Sequence, residues 1–479
     1  MDSLPPPPDQ LAAHERGVAR DLELLGLPPA NWPATVTGPD GAAVLDVLVV
    51  GAGMYGVAAA GALRLKGIGN IQVIDAAPEG LEGPWVTYAR METLRSPKHL
   101  PGIALGIPSL TFRAWYEARF GEAAWAALYK IRNAEWQDYI LWVRRMLGLP
   151  VRNGVALRAL RPGPAMVEAV LSTGETLLAR RVVLATGRPG TGGFALPPGI
   201  DPALWPDRAA HTGEAIEFSR LAGRHVAVIG AGASAWDNAA TALERGAARV
   251  DMHVRRESLP QINKGRGSAN PGFFEGWAGL PPAEKWSLLV YLDLVKAPPP
   301  HETVLRTLRN PGFHIHFSSR VGTARRGTDA VALTFEDGRE ERVDFLILGT
   351  GFAMRLEGMA ELAGLVPAIA TWGDRYVPPP GEANAGLAGF PWLGEGFELE
   401  ERATGACPGL SRIHLFNHAA AASIGSVASD IPGASVGAER LAHRIAAHIF
   451  REDFPVMRAR LEAFDEPELE PTPFFIPRG

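Results

Sequence analysis

The sequence predicts an α/β fold in which one parallel-sheet unit occurs twice. Three observations carry this. A strand, a glycine turn, a helix and a second strand follow one another over residues 44–75, and the same succession returns over residues 225–254. Each copy is followed further along by a hairpin pattern. Each hairpin leads into an apolar strand that ends in a small-Thr-Gly turn. One such match is easily fortuitous; four pieces in the same order twice mark an internal duplication.

The first unit opens with the Val/Leu-rich run Val44–Val50. It turns through Gly51-Ala52-Gly53-Met54-Tyr55-Gly56, continues as an Ala-rich helix to Leu65, and closes with the strand Ile71–Asp75. The apolar stretch Val44–Leu65 has the length of a membrane span. It carries Asp46, Gly51, Gly53, Gly56 and Gly61, so a buried strand followed by a buried helix is the expected reading. Val167–Leu171, a Ser-Thr-Gly-Glu turn and Leu177–Arg180 form the first hairpin. Val182–Leu184 then leads into Ala185-Thr186-Gly187. The second unit opens with His225–Ile229 and turns through Gly230-Ala231-Gly232-Ala233-Ser234-Ala235. A helix runs to about Arg245 and the strand Val250–Val254 follows. Its later pieces are Val331–Phe335, Glu341–Val343, and Phe345–Leu348 into Gly349-Thr350-Gly351. Before all this, Asp9 to Leu25 has helical periodicity between Pro-rich segments and is expected to pack on the body. The expected division is an N-terminal extension at 1–40 and the first domain at 41–190 and 346–479, the latter part including a C-terminal helix. A second domain is inserted at 191–345.

At 479 residues the chain is long enough for about three domains. Lys and Arg total 47 against 52 Asp and Glu, a net charge of −5, which leaves no electrostatic footprint for nucleic acid. Gly (54) and Pro (41) follow no short period, so collagen-like and low-complexity readings fail and glycine loops remain. Cys407 is the single cysteine, which excludes an intrachain disulfide and any multi-cysteine zinc or iron–sulfur site. Met1–Gln10 is acidic and proline-rich, without the basic start and apolar core of a secretory signal. A cytoplasmic location without membrane attachment is therefore expected.

The glycine spacing has a physical reason. The first glycine permits the tight turn, the second lets backbone approach a pyrophosphate, and the third position must be small for helix to pack on strand. The helix N-terminus then faces the anion with free N–H groups. Both copies thus read as Rossmann-like dinucleotide-binding domains, with Gly51, Gly53 and Gly56 in one and Gly230, Gly232 and Ser234 in the other. Their second strands differ. Asp75 suits a ribose 2′-OH and so the adenosine of FAD. Arg255 and Arg256 suit the 2′-phosphate of NADPH; if they are merely solvated, NADH is used instead. Trp85, Arg132, Gln137, Thr186, Gly187, Thr350, Gly351 and Asp430 are further cofactor-side candidates.

With two glycine loops and two small-Thr-Gly strand ends, the chain resembles the class B flavoprotein monooxygenases over residues 41–450. Met91-Glu92-Thr93-Leu94-Arg95-Ser96-Pro97 followed by Leu110-Thr111-Phe112 is similar to the ornithine/lysine N-hydroxylases of that class. So is the pattern at Arg132, Glu135, Tyr139 and Trp142. The fingerprint before the second loop departs from the class. His211 stands for its His, but Trp205 and Asp207 occupy its Phe and Gly places, and Ala215 falls where Baeyer–Villiger enzymes end it. The resemblance implies a monooxygenase: NADPH reduces FAD, and oxygen reacts as a C4a-(hydro)peroxyflavin. N-hydroxylation of an amine or amino acid is the leading expectation. C-hydroxylation of a purine-like anion such as urate, or a non-oxygenating flavoprotein oxidoreductase, is the alternative. A flavin disulfide reductase would need a cysteine pair.

Two segments are candidate substrate walls. Gln261–Phe274 offers Lys264 and Arg266 to an anionic substrate, Asn263 loosely resembles the substrate-binding asparagine region of the N-hydroxylases, and Lys98, beside His99, is a further candidate. Phe416–Ala421 offers Asn417 and His418, the latter for proton transfer because an ordinary imidazole titrates near neutrality. His314 and His316 alternate on a strand and point one way, but no third ligand is evident and no metal is expected. The expected partners are a small-molecule substrate and O2, with homo-oligomerisation left open.

Overall fold

The computed structural model describes residues 8–466, 468, 469, 473 and 474. The proline-rich start at 1–7 lies outside them. In chain order the strands are β1 (Val44–Val50), β2 (Ile71–Asp75), β3 (Val151–Asn153), β4 (Leu157–Pro162), β5 (Val167–Leu171) and β6 (Thr176–Leu184). They continue as β7 (Ala209–His211), β8 (His225–Ile229), β9 (Arg249–His253), β10 (Phe313–His316), β11 (Val321–Arg326), β12 (Val331–Phe335), β13 (Glu340–Val343), β14 (Phe345–Leu348) and β15 (Ile413–Leu415).

The first sheet has the order β3-β2-β1-β6-β5-β4, with β15 also on β6. Val47, Leu48 and Val49 of β1 are fully buried, as an apolar run between two parallel neighbours requires. The helix Met54–Leu65 follows at once and is buried along nearly its whole length. Membrane-span length was therefore a sign of double burial. Among the described residues no helix is long and apolar enough to cross a membrane.

β6 is a single strand, where the sequence suggests a break at Arg181. Its first half pairs antiparallel with β5, and its last three residues pair parallel with β15. The two buried arginines at its centre pair with carboxylates of the last long helix, Ala434–Glu462, and of β1. Arg180 reaches Asp453 at 2.7 Å and Asp46 at 3.4 Å, and Arg181 reaches Glu452 at 2.7 Å. Buried charge is tolerated here because each guanidinium has carboxylate partners.

The second sheet is all parallel, in the order β10-β9-β8-β14-β7, and β11-β12-β13 form a small antiparallel sheet on one of its faces. The second sheet thus extends through Leu348 before the chain returns to β15 in the first. The N-terminal extension forms the helix Pro8–Leu24. It packs on the body through Val18, through His14 to the Ser109 carbonyl at 2.9 Å, and through Glu15, which accepts from Trp142 Nε1 at 3.1 Å.

Candidate functional site

The duplicated pieces meet at the glycine loops. Gly51 has φ +103°, and a side chain there would run into the carbonyl of Ala185, the small residue just after β6. Gly230 has φ +107° and backs in the same way onto Gly349, which follows β14. Gly56 opens onto the Gly51 carbonyl with no room for a Cβ, and Ala235, its counterpart, packs on Gly349. The middle glycines behave differently. A Cβ on Gly232 would meet nothing within 4 Å, and one on Gly53 would meet only Gly83 backbone, at 3.7 Å. Each therefore leaves a cradle at a helix N-terminus, as pyrophosphate binding needs.

Asp75 stands at the mouth of the first loop. Its two oxygens accept the N–H groups of Ala52 and Ala77, each at 2.7 Å. These bonds fix the carboxylate and leave lone pairs for ribose hydroxyls. Gln137 is buried and donates to the Gly80 carbonyl at 3.2 Å, while its Oε1 has no protein partner. Trp85 packs edge-on against Trp136, with its buried Nε1 unpaired. Thr350 Oγ1 and His418 Nδ1 are likewise buried and unpaired. These orphaned polar atoms, with the room left at Gly53 and Gly232, fit a bound dinucleotide at each loop. Arg132 is exposed at the start of the helix Asn133–Met146, where Glu135 accepts its backbone N–H at 3.1 Å. Gly187 and Gly351 adopt positive φ in the two matching turns. Ser234 and Arg255 are exposed, and Arg256 donates to the Leu294 carbonyl at 3.2 Å.

Asn417 and His418 lie just beyond β15. Asn417 is buried, donates to Thr186 Oγ1 at 3.0 Å and accepts the Ala419 N–H at 2.9 Å. Each end of its amide thus holds one bond within the protein, which fixes its orientation. Burial pushes His418 down to about 3, with the Arg188 charge acting in the same sense. The near-neutral titration behind the proton-transfer expectation therefore does not hold. His418 presents a neutral imidazole at physiological pH. Asp430 accepts the Tyr55 hydroxyl on its backbone carbonyl at 2.8 Å.

Asn263, Lys264 and Arg266 are exposed on a short helical turn, Lys264–Ser268. The chain beyond them crosses to the first domain. Trp277 Nε1 donates to the Ala422 carbonyl at 3.2 Å and Lys285 Nζ to the Ser423 carbonyl at 3.0 Å. The segments following the two expected substrate walls are thus tied together. Lys98 is engaged elsewhere: its ammonium donates to the Trp125 carbonyl at 2.7 Å and lies 4.9 Å from the centre of that indole ring. The Met91–Pro97 segment lies at the domain seam. Arg95 meets Asp237 at 3.4 Å there, and Arg306 donates to the Arg90 carbonyl at 2.9 Å.

One residue escaped the sequence reading. Arg188 directly follows the Ala-Thr-Gly turn, and its charge bears on Tyr55, Tyr88, His418 and Asp430. These four come from separate parts of the chain. The only signal was its place after Gly187.

Fold and site together define a flavoprotein with paired dinucleotide domains. The family model for pyridine nucleotide-disulphide oxidoreductases matches residues 48–267. Cys407 is the sole cysteine, so the chain itself holds no dithiol. The FAD-dependent urate hydroxylase of Xanthomonas campestris is 40% identical over 460 residues, covering 96% of this chain and 97% of that one. The chain belongs to the family of this hydroxylase and is a flavin-dependent monooxygenase. Two solved structures share the fold. The ornithine N-hydroxylase of Kutzneria matches with a TM-score of 0.67 at 16% identity, over 85% of this chain and 99% of that one. The L-lysine 6-monooxygenase of Pseudomonas syringae matches with 0.65 at 19%, over 84% and 99%.

Proposed function

We propose that this monooxygenase hydroxylates urate or a closely related purine anion. The observation that carries the reading is the 40% identity to a urate hydroxylase along nearly the whole of both chains. The amine and amino acid hydroxylases match at 16–19% identity, a likeness of fold alone, so N-hydroxylation yields the lead. Arg188 adds physical support. Urate is an anion at neutral pH, and a guanidinium matches its planar row of acceptors.

Bound FAD, reduced by NAD(P)H, supplies the activation of O2. The chain supplies position and shelter. Asp75 and the Gly51 loop hold the FAD end, and Gln137 and Trp85 offer further polar contacts to it. Gly232 and Ser234, with Arg255 and Arg256, hold the nicotinamide dinucleotide. Asn417 pins the Phe416–Ala421 wall to Thr186. His418 stays neutral and can exchange hydrogen bonds without carrying charge. Arg188 orients the purine anion.

The test is stoichiometry. With purified holoenzyme, urate, NAD(P)H and O2 should disappear one for one, with one oxygen atom in the hydroxylated product and the other in water. Ornithine and lysine should leave NAD(P)H oxidation at its substrate-free rate. Coupled oxidation with an amino acid and none with urate would overturn the reading.

A further inference from the structure

The face of the second sheet turned toward the small antiparallel sheet carries a polar cluster that the oxygenation site does not use. β9 alternates Arg249, Asp251 and His253 on this face, while Val250 and Met252 enter the apolar core on the other. Tertiary pairing brings in donors from three more strands. His225 comes from β8, His316 from β10 and Glu341 from β13.

The distances are short. His225 Nε2 lies 2.5 Å from Asp251 Oδ2 and 3.5 Å from Glu341 Oε1. His253 Nε2 lies 3.4 Å from Glu341 Oε2. One ligand atom each from His225, Asp251 and Glu341 falls within 4.8 Å of the others. Tetrahedral donors about 2.0–2.1 Å from a zinc ion stand roughly 3.4 Å apart, and each Glu341 oxygen lies near that spacing from one imidazole.

His253 supplies the independent observation. It is 1% exposed, and its Nε2 points at Glu341 with no hydrogen-bond partner. Its Nδ1 lies 3.1 Å from Ser319 Oγ. With the Nδ1 proton on that hydroxyl, Nε2 presents a bare lone pair to the cluster, the arrangement found in metal-ligating histidines. An outer shell is also in place. Arg249 clasps Asp251 at 2.5 and 3.0 Å, and His316 Nε2 meets Asp251 Oδ1 at 2.6 Å. His225 and Glu341 are each a quarter exposed, which leaves an entry path.

We propose that His225, Asp251 and Glu341, joined by His253 through a shift of its imidazole past Glu341, form a binding site for a divalent cation of the zinc type, between the second sheet and the small antiparallel sheet. Two imidazoles and two carboxylates make a nitrogen–oxygen donor set that suits Zn2+ or Co2+. The ion takes the place of the hydrogen bond between His225 and Asp251, and those two groups separate by roughly 1 Å to share it. His316 and Arg249 keep Asp251 oriented. The ion would cross-link β8 and β9 to β13, a structural role apart from the flavin.

The experiment uses the flavin-loaded full chain, treated with a chelator and then titrated with Zn2+ by calorimetry and with Co2+ by visible absorption. One ion per chain is expected, with intense tetrahedral Co2+ bands and a raised melting temperature. Glu341→Gln and, separately, His253→Gln should abolish stoichiometric binding while flavin content stays unchanged. His316→Phe, which removes only an outer-shell contact, should weaken binding about 10- to 100-fold. Absence of stoichiometric uptake by the unaltered protein overturns the proposal, and so does uptake with the same Co2+ spectrum in both ligand variants. If either variant misfolds, as judged by lost flavin, the spectrum of His316→Phe decides: unchanged affinity and bands would also overturn it.

Discussion

Asn417 donates its side-chain amide to Thr186 Oγ1 at 3.0 Å, joining residues 231 positions apart. Thr186 belongs to the turn that ends β6, and Asn417 to the turn beyond β15. The parallel pairing of β15 on β6, with Leu415 opposite Leu184, sets the two turns side by side. The bond then fixes the start of the Phe416–Ala421 segment that carries His418.

Asn417→Ala removes this tether and leaves the Ala419 N–H buried without its acceptor. A loss of about 1–3 kcal/mol in stability is expected. Flavin release should quicken, because the segment is no longer pinned. Denaturant unfolding and flavin fluorescence check the two effects. Unchanged values for both would show that the tether is dispensable.

The glycines divide into two kinds. Gly56→Ala forces a Cβ into the Gly51 carbonyl and should yield little folded, flavin-containing protein. Gly232→Ala meets no protein atom within 4 Å. It should fold with normal flavin content and lose affinity for NAD(P)H alone. Stopped-flow reduction at graded coenzyme concentrations distinguishes the two cases.

Coenzyme choice tests the arginines after β9. Replacing Arg255 and Arg256 together by Ala should lower the kcat/KM ratio of NADPH to NADH by about 10- to 100-fold, the worth of one to two charge-assisted bonds. A wild-type ratio near one would already remove the assignment.

Arg188→Gln keeps hydrogen-bonding capacity and removes the charge. The KM for urate should rise roughly tenfold or more, with flavin reduction by NAD(P)H at its normal rate. A normal KM would assign Arg188 no part in recognising the anion.

Acid should destabilise the fold through buried histidines. His414 in β15 is fully buried, with Nδ1 2.7 Å from the Gly396 carbonyl, and burial pushes it down to about 3. Unfolded, it takes up its proton near 6.5. Between these values the unfolded chain binds more protons than the folded one. Stability is therefore complete above pH 6.5 and falls as the pH drops toward 3. His414→Asn, which can keep the donor to Gly396, should flatten the slope by about one proton, or roughly tenfold in the folding equilibrium per pH unit. Urea unfolding at several pH values between about 5 and 7 measures it.

The sequence by itself determined the two βαβ units, the roles of Gly51 and Gly230 and the place of Asp75. Each is encoded within a few neighbouring residues, by apolar runs, turn glycines and helix starts. It also carried the family, because the spacing of glycine loops and small-Thr-Gly turns survives as a linear pattern. Tertiary structure decided what depends on residues far apart. It packed Ala185 on Gly51, committed Asn417 to Thr186, lowered His418 by burial, and drew Lys98 onto Trp125. It also joined His316 to Asp251 of β9, and Asp251 in turn to His225 of β8, which reaches Glu341 of β13. Local pattern fixes backbone conformation, whereas burial and charge partners arise only when separate strands are laid side by side.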